Sequence, residues 1–290
     1  MINDSYCPIC SSSVVEWKTK VADGQEYKID LCASCRYVFI NPRPTLEFIS
    51  NYYANFHISD EAQNANYELE KYSYSVIDAK RIVKNVSILT NNLKGLSFLD
   101  VGCGHGLISR EAKNSGFNVT ALELSDIERD IAFNLTKIIP INSSFEDYSC
   151  EAEAFDILNL SQILEHAVDI NLWVSKANFC LKKGGILAIA LPNFNSFFRY
   201  LLKENDPYIC PPVHLNFFSH KNLIKLLDIH GFDVEYFEFI SRIPDETILK
   251  RIPKLFHFIL PFIKIILSLI FKIFDLLQIG IMTNIYAKKR

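Results

Sequence analysis

The sequence predicts an α/β protein with a doubly wound sheet, a small cysteine-rich unit in front of it and a hydrophobic helical insertion near its end. The chain has 290 residues, of which 49% are hydrophobic, enough for one full α/β core with a smaller unit beside it. Strand-like apolar runs alternate with helical stretches such as 169–181 and 220–230, which predicts parallel strand pairing. Ligands of such sheets bind at the carboxyl ends of the strands.

The first predicted element is a cysteine-rich unit at residues 1–45. Its two C-x-x-C pairs, Cys7 with Cys10 and Cys32 with Cys35, are separated by a polar stretch. Four thiolates from two such knuckles suit tetrahedral Zn²⁺, and so short a segment needs a metal to fold. Disulfides are the alternative. The M-I-N-D start has no signal-peptide character, which favours a reducing cytosol and argues against them.

The most informative run is F-L-D-V-G-C-G-H-G at 98–106, an apolar strand followed by a glycine-rich turn. A turn without side chains brings backbone N–H groups and a helix N-terminus close to a nucleotide-like ligand. The dinucleotide fingerprint G-x-G-x-x-G would need a glycine at position 107, where Leu107 stands. The sequence therefore indicates a different cofactor.

The spacing D-x-G-x-G-x-G resembles the first motif of class I S-adenosylmethionine-dependent methyltransferases. The later runs F-D-x-(apolar), L-E-H and L-K-x-G-G-x-L resemble the small-molecule branch of the same family. This resemblance implies a Rossmann-like core over 95–240 and S-adenosylmethionine (SAM) as the cofactor. It implies cofactor contacts from Asp100, Gly102, Cys103, Gly104, Gly106, Glu123, Leu124, Ser144, Phe145 and Ser161.

The strands of this core follow in order after the glycine turn at 98–106. A second strand at 118–124 carries Glu123, roughly 20 residues past the first glycine, where an acidic side chain meets a ribose. A short third strand is predicted at 138–141, a fourth at 155–160 and a fifth at 186–191.

The exit from the cysteine-rich unit carries a second resemblance. The words R-Y-V-F-I-N-P-R-P-T at 36–45 resemble the zinc-ribbon exit of bacterial methyltransferases from sugar and polysaccharide pathways. In that family a tyrosine-rich helix follows, and Tyr52 and Tyr53 stand at the matching place. Residues 46–94 are accordingly expected to form a helical cap or linker.

Three residues are candidates for the chemistry of methyl transfer. A hydroxyl acceptor needs a base, and His166 follows Glu165 at the end of the fourth strand, where the ligand edge should be. Glu165 is expected to orient His166 or to touch the acceptor. His214 lies in P-P-V-H-L-N-F-F-S and is the preferred base, because the resemblance puts this segment over the acceptor site. A structural role in the fold is the alternative for each histidine.

The acceptor is expected to be a small molecule with a hydroxyl group, by default a sugar or a lipid-linked glycan intermediate. The residues at 160–163 lack the Asn/Asp-Pro-Pro-aromatic pattern of enzymes that methylate base amines. A formal net charge of -3 and the absence of a basic run in the ribbon argue against nucleic acid. The alternative acceptors are a sugar carbon and a quinone-like phenol. The alternative functions are a ribosomal-RNA methyltransferase and a non-catalytic SAM-binding scaffold.

The predicted insertion at 241–280 contains a run rich in Ile, Leu and Phe from 255 onward. Its polar residues, among them Lys264 and Lys272, fall on one helical stripe and leave a wide apolar face. Basic residues on both sides favour a helix lying on the inner face of an anionic membrane, contacted through 255–280, in an otherwise cytoplasmic protein. A membrane span, a dimer contact or packing on the core are the alternatives. Residues 281–290 are expected to supply a closing strand and a basic tail.

Overall fold

The computed structural model describes residues 4–22, 24–49, 73–242 and 260–290. The predicted Tyr52 and Tyr53 and the basic residues at 250–254 lie outside the described residues. The strands are β1 (Val14–Ala22), β2 (Gln25–Cys32), β3 (Val38–Ile40), β4 (Ser97–Val101), β5 (Asn118–Leu122), β6 (Phe155–Ser161), β7 (Leu181–Pro192), β8 (Asn216–Phe217), β9 (Phe232–Ile240) and β10 (Met282–Lys289). The α-helices are α1 (Ser73–Leu89), α2 (Leu107–Asn114), α3 (Asp126–Thr136), α4 (Ile170–Cys180), α5 (Phe197–Leu202), α6 (His220–Ile229) and α7 (Leu260–Leu276).

The larger sheet has the strand order β5-β4-β6-β7-β10-β9. Strands β5, β4, β6 and β7 are parallel, and β10 runs antiparallel between β7 and β9. This mixed sheet with intervening helices confirms the predicted doubly wound α/β fold. Its parallel strands are nearly continuous apolar runs because both faces are covered by helices.

The predicted third strand at 138–141 is wrong as a strand. Only Ile141 pairs with the sheet, through a parallel bridge to Leu122, while Ile139 is exposed. The pairing does not extend backward along the chain because Ile138 stays bonded to the end of α3, where its N–H donates to Thr136 Oγ1 at 2.9 Å.

The smaller sheet has the order β1-β2-β3-β8 and joins the cysteine-rich unit to the core. Strand β8 comes from the segment before α6 and pairs antiparallel with β3. Tyr37, buried beside β3, lies 5.2 Å from the Phe218 ring, measured between ring centroids. Cys7, Ile9 and Tyr37 belong to the same buried cluster as residues of the larger sheet such as Leu99. The cysteine-rich unit and the core thus share one hydrophobic interior.

Helix α7 precedes β10 and packs beside α5. The rings of Phe274 and Phe197 stack with centroids 4.6 Å apart. The predicted closing strand is the antiparallel β10, so α7 belongs to a segment inserted before the last strand. None of the helices in the described ranges has both the length and the apolar character to cross a bilayer.

Candidate active site

The glycine-rich turn joins β4 to α2 at the carboxyl edge of the larger sheet. Gly102 has a φ of 62°, and a Cβ there would lie 2.7 Å from Cδ1 of Ile163. Gly106 is the N-cap of α2 with a φ of 77°, and its Cβ would lie 3.0 Å from Cβ of Ala132. A left-handed backbone conformation and close neighbours together restrict these positions to glycine.

Asp100, the first residue of the motif, connects the glycine turn to the neighbouring elements through hydrogen bonds. Its buried carboxylate accepts hydrogen bonds from Ser109 Oγ at 2.6 Å and from Asn159 Nδ2 at 2.8 Å. Burial raises the pKa of the Asp100 carboxyl to about 6, and the two hydrogen bonds oppose that rise. The carboxyl ends of β4 and β6 are therefore linked directly beneath the glycines.

A first cavity of about 300 Å³ lies between the glycine turn and the end of β5. The Glu123 carboxylate lines it and is held by three backbone N–H groups. Oε1 accepts from Leu124 at 2.8 Å and from Ser125 at 2.9 Å, and Oε2 accepts from Gly104 at 2.9 Å. A carboxylate oriented in this way can still accept hydroxyl donors from a ribose through its remaining lone pairs.

The far end of the first cavity contains Ser144 and Phe145 together with residues that sequence reasoning missed. Trp173 packs edge-on against Phe145, with ring centroids 5.3 Å apart, and its Nε1 donates to Glu146 Oε1 at 2.6 Å. Leu46 and Ile49 also line this cavity. Trp173 lies on α4, and only the fold brings it to this wall, so the sequence pattern carried no signal for it.

A second cavity of about 400 Å³ meets the first one at Gly102 and Gln162, which line both. Cys103 and Ser161 line this second cavity, and burial raises the pKa of the Cys103 thiol. Its remaining lining combines polar and apolar side chains, and this is the space next to the glycine turn that is open to a second ligand. The polar side chains on its wall include Asp78, Arg242, Asn159, Tyr208 and Asn284.

The three predicted catalytic residues come together although 48 positions separate His166 from His214. One ligand-type atom of each of Glu165, His166 and His214 lies within 4.8 Å of the others. His166 Nδ1 is 2.8 Å from the Val213 carbonyl oxygen, and His214 Nδ1 is 2.8 Å from the Tyr208 carbonyl oxygen. Since a carbonyl only accepts, each of these contacts is a hydrogen bond when the ring carries its proton on Nδ1.

The two histidines occupy different positions relative to the cavities. His166 lines the first cavity, whereas His214 and Glu165 line a small separate cavity of about 20 Å³. The His166 and His214 ring centroids are 4.9 Å apart, so His214 stands behind His166 as seen from the first cavity. The sequence-based preference for His214 did not anticipate this arrangement.

Burial controls the charge of this cluster. It lowers the pKa of His166 to about 4, with a further contribution from the nearby His214, and it also lowers the pKa of His214. Burial raises the pKa of the Glu165 carboxyl to about 8, and neither carboxyl oxygen has a hydrogen-bond partner among the described residues. Near neutral pH the three groups are predominantly uncharged. Two imidazoles and a carboxyl are also a donor set that could hold a divalent transition metal.

The four N-terminal cysteines form a second cluster, away from the cavities. Sγ of Cys7 and Cys35 are 3.6 Å apart, and Sγ of Cys10 and Cys32 are 3.5 Å apart. Tetrahedral Zn²⁺ with Zn–S bonds near 2.3 Å requires S···S separations of roughly 3.8 Å. The backbone N–H groups of Ile9 and Cys35 donate to Cys7 Sγ and Cys32 Sγ, which stabilises thiolates. The donor set therefore fits a zinc ion.

Comparisons with known proteins agree with the geometry around the glycine turn. A family model described as a methyltransferase domain matches residues 75–236. The ubiquinone biosynthesis O-methyltransferase of Coxiella burnetii is 29% identical over 158 residues, covering 48% of this chain and 68% of that protein. The enzyme of the same name from Pelagibacter ubique is 25% identical over 195 residues, covering 60% of this chain and 81% of that protein.

A solved structure of an SAM-dependent methyltransferase from Thermotoga maritima has the same fold. It superposes with a TM-score of 0.55 at 16% identity and covers 83% of this chain and 100% of that chain. The family model covers more than half of the chain, including the glycine turn, Glu123 and the Glu165–His166–His214 cluster. The chain is therefore a member of the SAM-dependent methyltransferase family.

Proposed function

We propose that the protein transfers the methyl group of SAM to a hydroxyl of a small acceptor, with His166 as the base. A sugar is the first candidate for this acceptor. The observation that carries the proposal is the position of His166, a neutral imidazole on the wall of the first cavity. The donor brings an activated methyl group, so the protein has to align the reactants and accept one proton.

The residues around the glycine turn fit this donor. Gly102 and Gly104 provide a side-chain-free wall, Gly106 lets the turn pack against α3, and Glu123 presents an oriented carboxylate for ribose hydroxyls. Phe145, beside Ser144, offers an apolar contact for a flat base at the far end of the first cavity. The amino-acid tail would then extend past Gly102, toward Cys103 and Ser161 in the second cavity.

Proton removal falls to His166 in this proposal, with the acceptor hydroxyl reaching from the second cavity into the first beside Gln162, which lines both cavities. Its low pKa keeps the ring neutral and able to accept a proton from an acceptor hydroxyl, and its Nδ1–H is fixed by the Val213 carbonyl. His214 packs against the ring and Glu165 lies beside both, so we assign these two residues a positioning role. A protonated Glu165 adds no negative charge to the cluster at neutral pH.

The acceptor class is inferred from the lining of the second cavity. Side chains such as Asp78, Arg242 and Asn284 can donate to and accept from several hydroxyl groups of one ligand. These polar groups support a polyhydroxylated acceptor as the first candidate. A phenolic hydroxyl is the second candidate, because the curated relatives bear the name ubiquinone biosynthesis O-methyltransferase.

We further propose that the cysteine cluster holds a structural zinc ion that supports the segment carrying Glu165 and His166. Strand β3 pairs with β8, and the buried Asn216 of β8 accepts a hydrogen bond from the Tyr37 hydroxyl. The Asn216 amide donates to the Ala167 carbonyl at 2.7 Å, and the Leu215 N–H donates to the Glu165 carbonyl at 2.8 Å. The ribbon is thereby joined by hydrogen bonds to the segment that carries His166.

The test of the proposal is the variant His166→Asn. The asparagine amide can replace Nδ1–H as the donor to Val213 but has no basic nitrogen. We expect methyl transfer to fall by about 10²–10⁴-fold, while the affinity for SAM measured by calorimetry stays unchanged. His230→Asn, which changes a histidine away from both cavities, is the matched control.

The acceptor is tested with methyl-labelled SAM and two panels of soluble compounds, nucleotide sugars and catechol-type phenols. Label transferred to a sugar hydroxyl supports the first candidate, and label on a phenol supports the second. Full activity of His166→Asn on the accepted compound would refute the role given to His166.

A further inference from the structure

Helix α7 presents a broad apolar face to the surface of the protein. Six of its side chains fall within an arc of roughly 100°, since successive residues of an α-helix are about 100° apart. This apolar face consists of Phe262, Ile265, Ile266, Leu269, Ile273 and Leu276, each more than half exposed, and Leu277 adjoins it with the same exposure. So many exposed large apolar residues on one helix mark an interaction surface.

The opposite side of α7 is anchored to the protein. Phe271 is buried, Phe274 stacks on Phe197, and the Asp275 carboxylate accepts a hydrogen bond from Ser241 Oγ at 2.6 Å. The helix therefore already has one packed apolar side. Its exposed apolar face is a second one, held outward by these contacts.

Between the two apolar sides runs a polar flank. Lys264, Ser268 and Lys272 are exposed and follow one another at successive turns. Long lysine side chains beside an apolar face can reach the headgroups of a bilayer while their stems lie along the hydrocarbon. The one carboxylate of α7 is bonded to Ser241, so the exposed charges of the helix are positive.

The C-terminal end of α7 connects to the wall of the second cavity. The chain leaves α7 at Leu276 and reaches Ile281 and Met282, which line that cavity. The Asn193 amide at the end of β7 donates to the Gly280 carbonyl at 2.9 Å, which fixes this connection. Helix α5, packed against α7, adds the exposed Leu201.

We propose that the apolar face of α7, together with α5, docks on the surface of an anionic bilayer with α7 parallel to the membrane plane. Apolar side chains flanked by lysines complement a negatively charged lipid surface. Docking in this way would hold the second cavity near the membrane, where an acceptor with a lipid anchor resides. The docking itself does not depend on the acceptor named above.

The test uses sedimentation of the full chain with vesicles of phosphatidylcholine containing roughly one third phosphatidylglycerol. The triple variant Ile265→Ser, Leu269→Ser, Ile273→Ser should bind these vesicles at least about tenfold more weakly. The matched control changes three exposed aliphatic residues elsewhere, Leu93→Ser, Ile139→Ser, Ile229→Ser, and should bind like the unmodified chain.

The contribution of charge is tested with Lys264→Gln, Lys272→Gln. We expect each lysine to contribute about fivefold on the anionic vesicles and nothing on pure phosphatidylcholine. Unmodified protein that does not sediment with the anionic vesicles would overturn the proposal. Equal vesicle binding by the α7 triple variant and the unmodified chain would also overturn it. The same holds if the unmodified chain is a dimer and the triple variant is a monomer that binds vesicles equally well.

SAM affinity and transfer to a soluble acceptor are measured on the same variants. Because the changed side chains line neither cavity, both should remain unchanged. A loss of vesicle binding with normal methyl transfer therefore bears on the membrane-docking proposal alone. Absence of methyl transfer by the unmodified protein bears on the proposed function alone.

Discussion

Gly102→Ala tests the role of the glycine turn most directly. A φ of 62° costs an alanine about 1–2 kcal/mol, and its Cβ would lie 2.7 Å from Cδ1 of Ile163. Relief of that contact needs Ile163 to shift, which adds about 1–3 kcal/mol of overpacking. We expect a total loss of about 2–5 kcal/mol in the free energy of unfolding. The affinity for SAM should fall at least about tenfold, because the methyl group projects where the two cavities meet.

Gly95→Ala is the matched control for this prediction. Gly95 has a φ of 75° with nothing within 4 Å of the added Cβ, so it carries the backbone strain alone. Urea unfolding of both variants separates strain from overpacking, and titration calorimetry with SAM measures binding. Equal stability losses in the two variants, together with normal SAM affinity of Gly102→Ala, would refute the conclusion that the glycine turn forms a wall of the SAM-binding cavity.

Two further predictions concern the buried carboxyl and the cysteine cluster. The folded-state pKa of Glu165 is raised from 4.5 to about 8, so the proton is bound more tightly in the folded state and stability falls as pH rises through this window. Glu165→Gln should remove this loss, and thermal unfolding of the two proteins from pH 5 to 9 should diverge with rising pH; parallel curves would contradict the buried neutral acid. Purified protein should contain about one zinc per chain by mass spectrometry, and Cys32→Ser should lose the metal and lower the melting temperature; stable, active protein without zinc would contradict the structural role.

The fold could be predicted largely from local signals. The glycine turn at 102–106, the apolar runs and the acidic Glu123 each depend on a short stretch of sequence, and the structure places them along one sheet edge. The predicted third strand failed because Ile138 stays bonded to the end of α3 and Ile141 alone pairs with β5, although the run at 138–141 is apolar. Periodicity alone did not register that effect.

Contacts between distant segments could not be predicted in the same way. Trp173 reaches the first cavity because α4 packs beside the segment at 144–147, and β8 pairs with β3 across 179 positions from Val38 to Phe217. The relative placement of His166 and His214 depends on the same long-range packing. The sequence shows that both histidines follow sheet strands. The packing of the surrounding segments decides that His166, and not His214, lines the first cavity.

The most direct test of the account is to identify the atom that receives the methyl group. The protein is incubated with methyl-labelled SAM and an extract of its own cells, and the labelled product is isolated and analysed by mass spectrometry and NMR. We expect a methyl ether on an oxygen of a small acceptor, formed by the unmodified protein and lost in His166→Asn. A methyl group on nitrogen, or label confined to RNA, would contradict it.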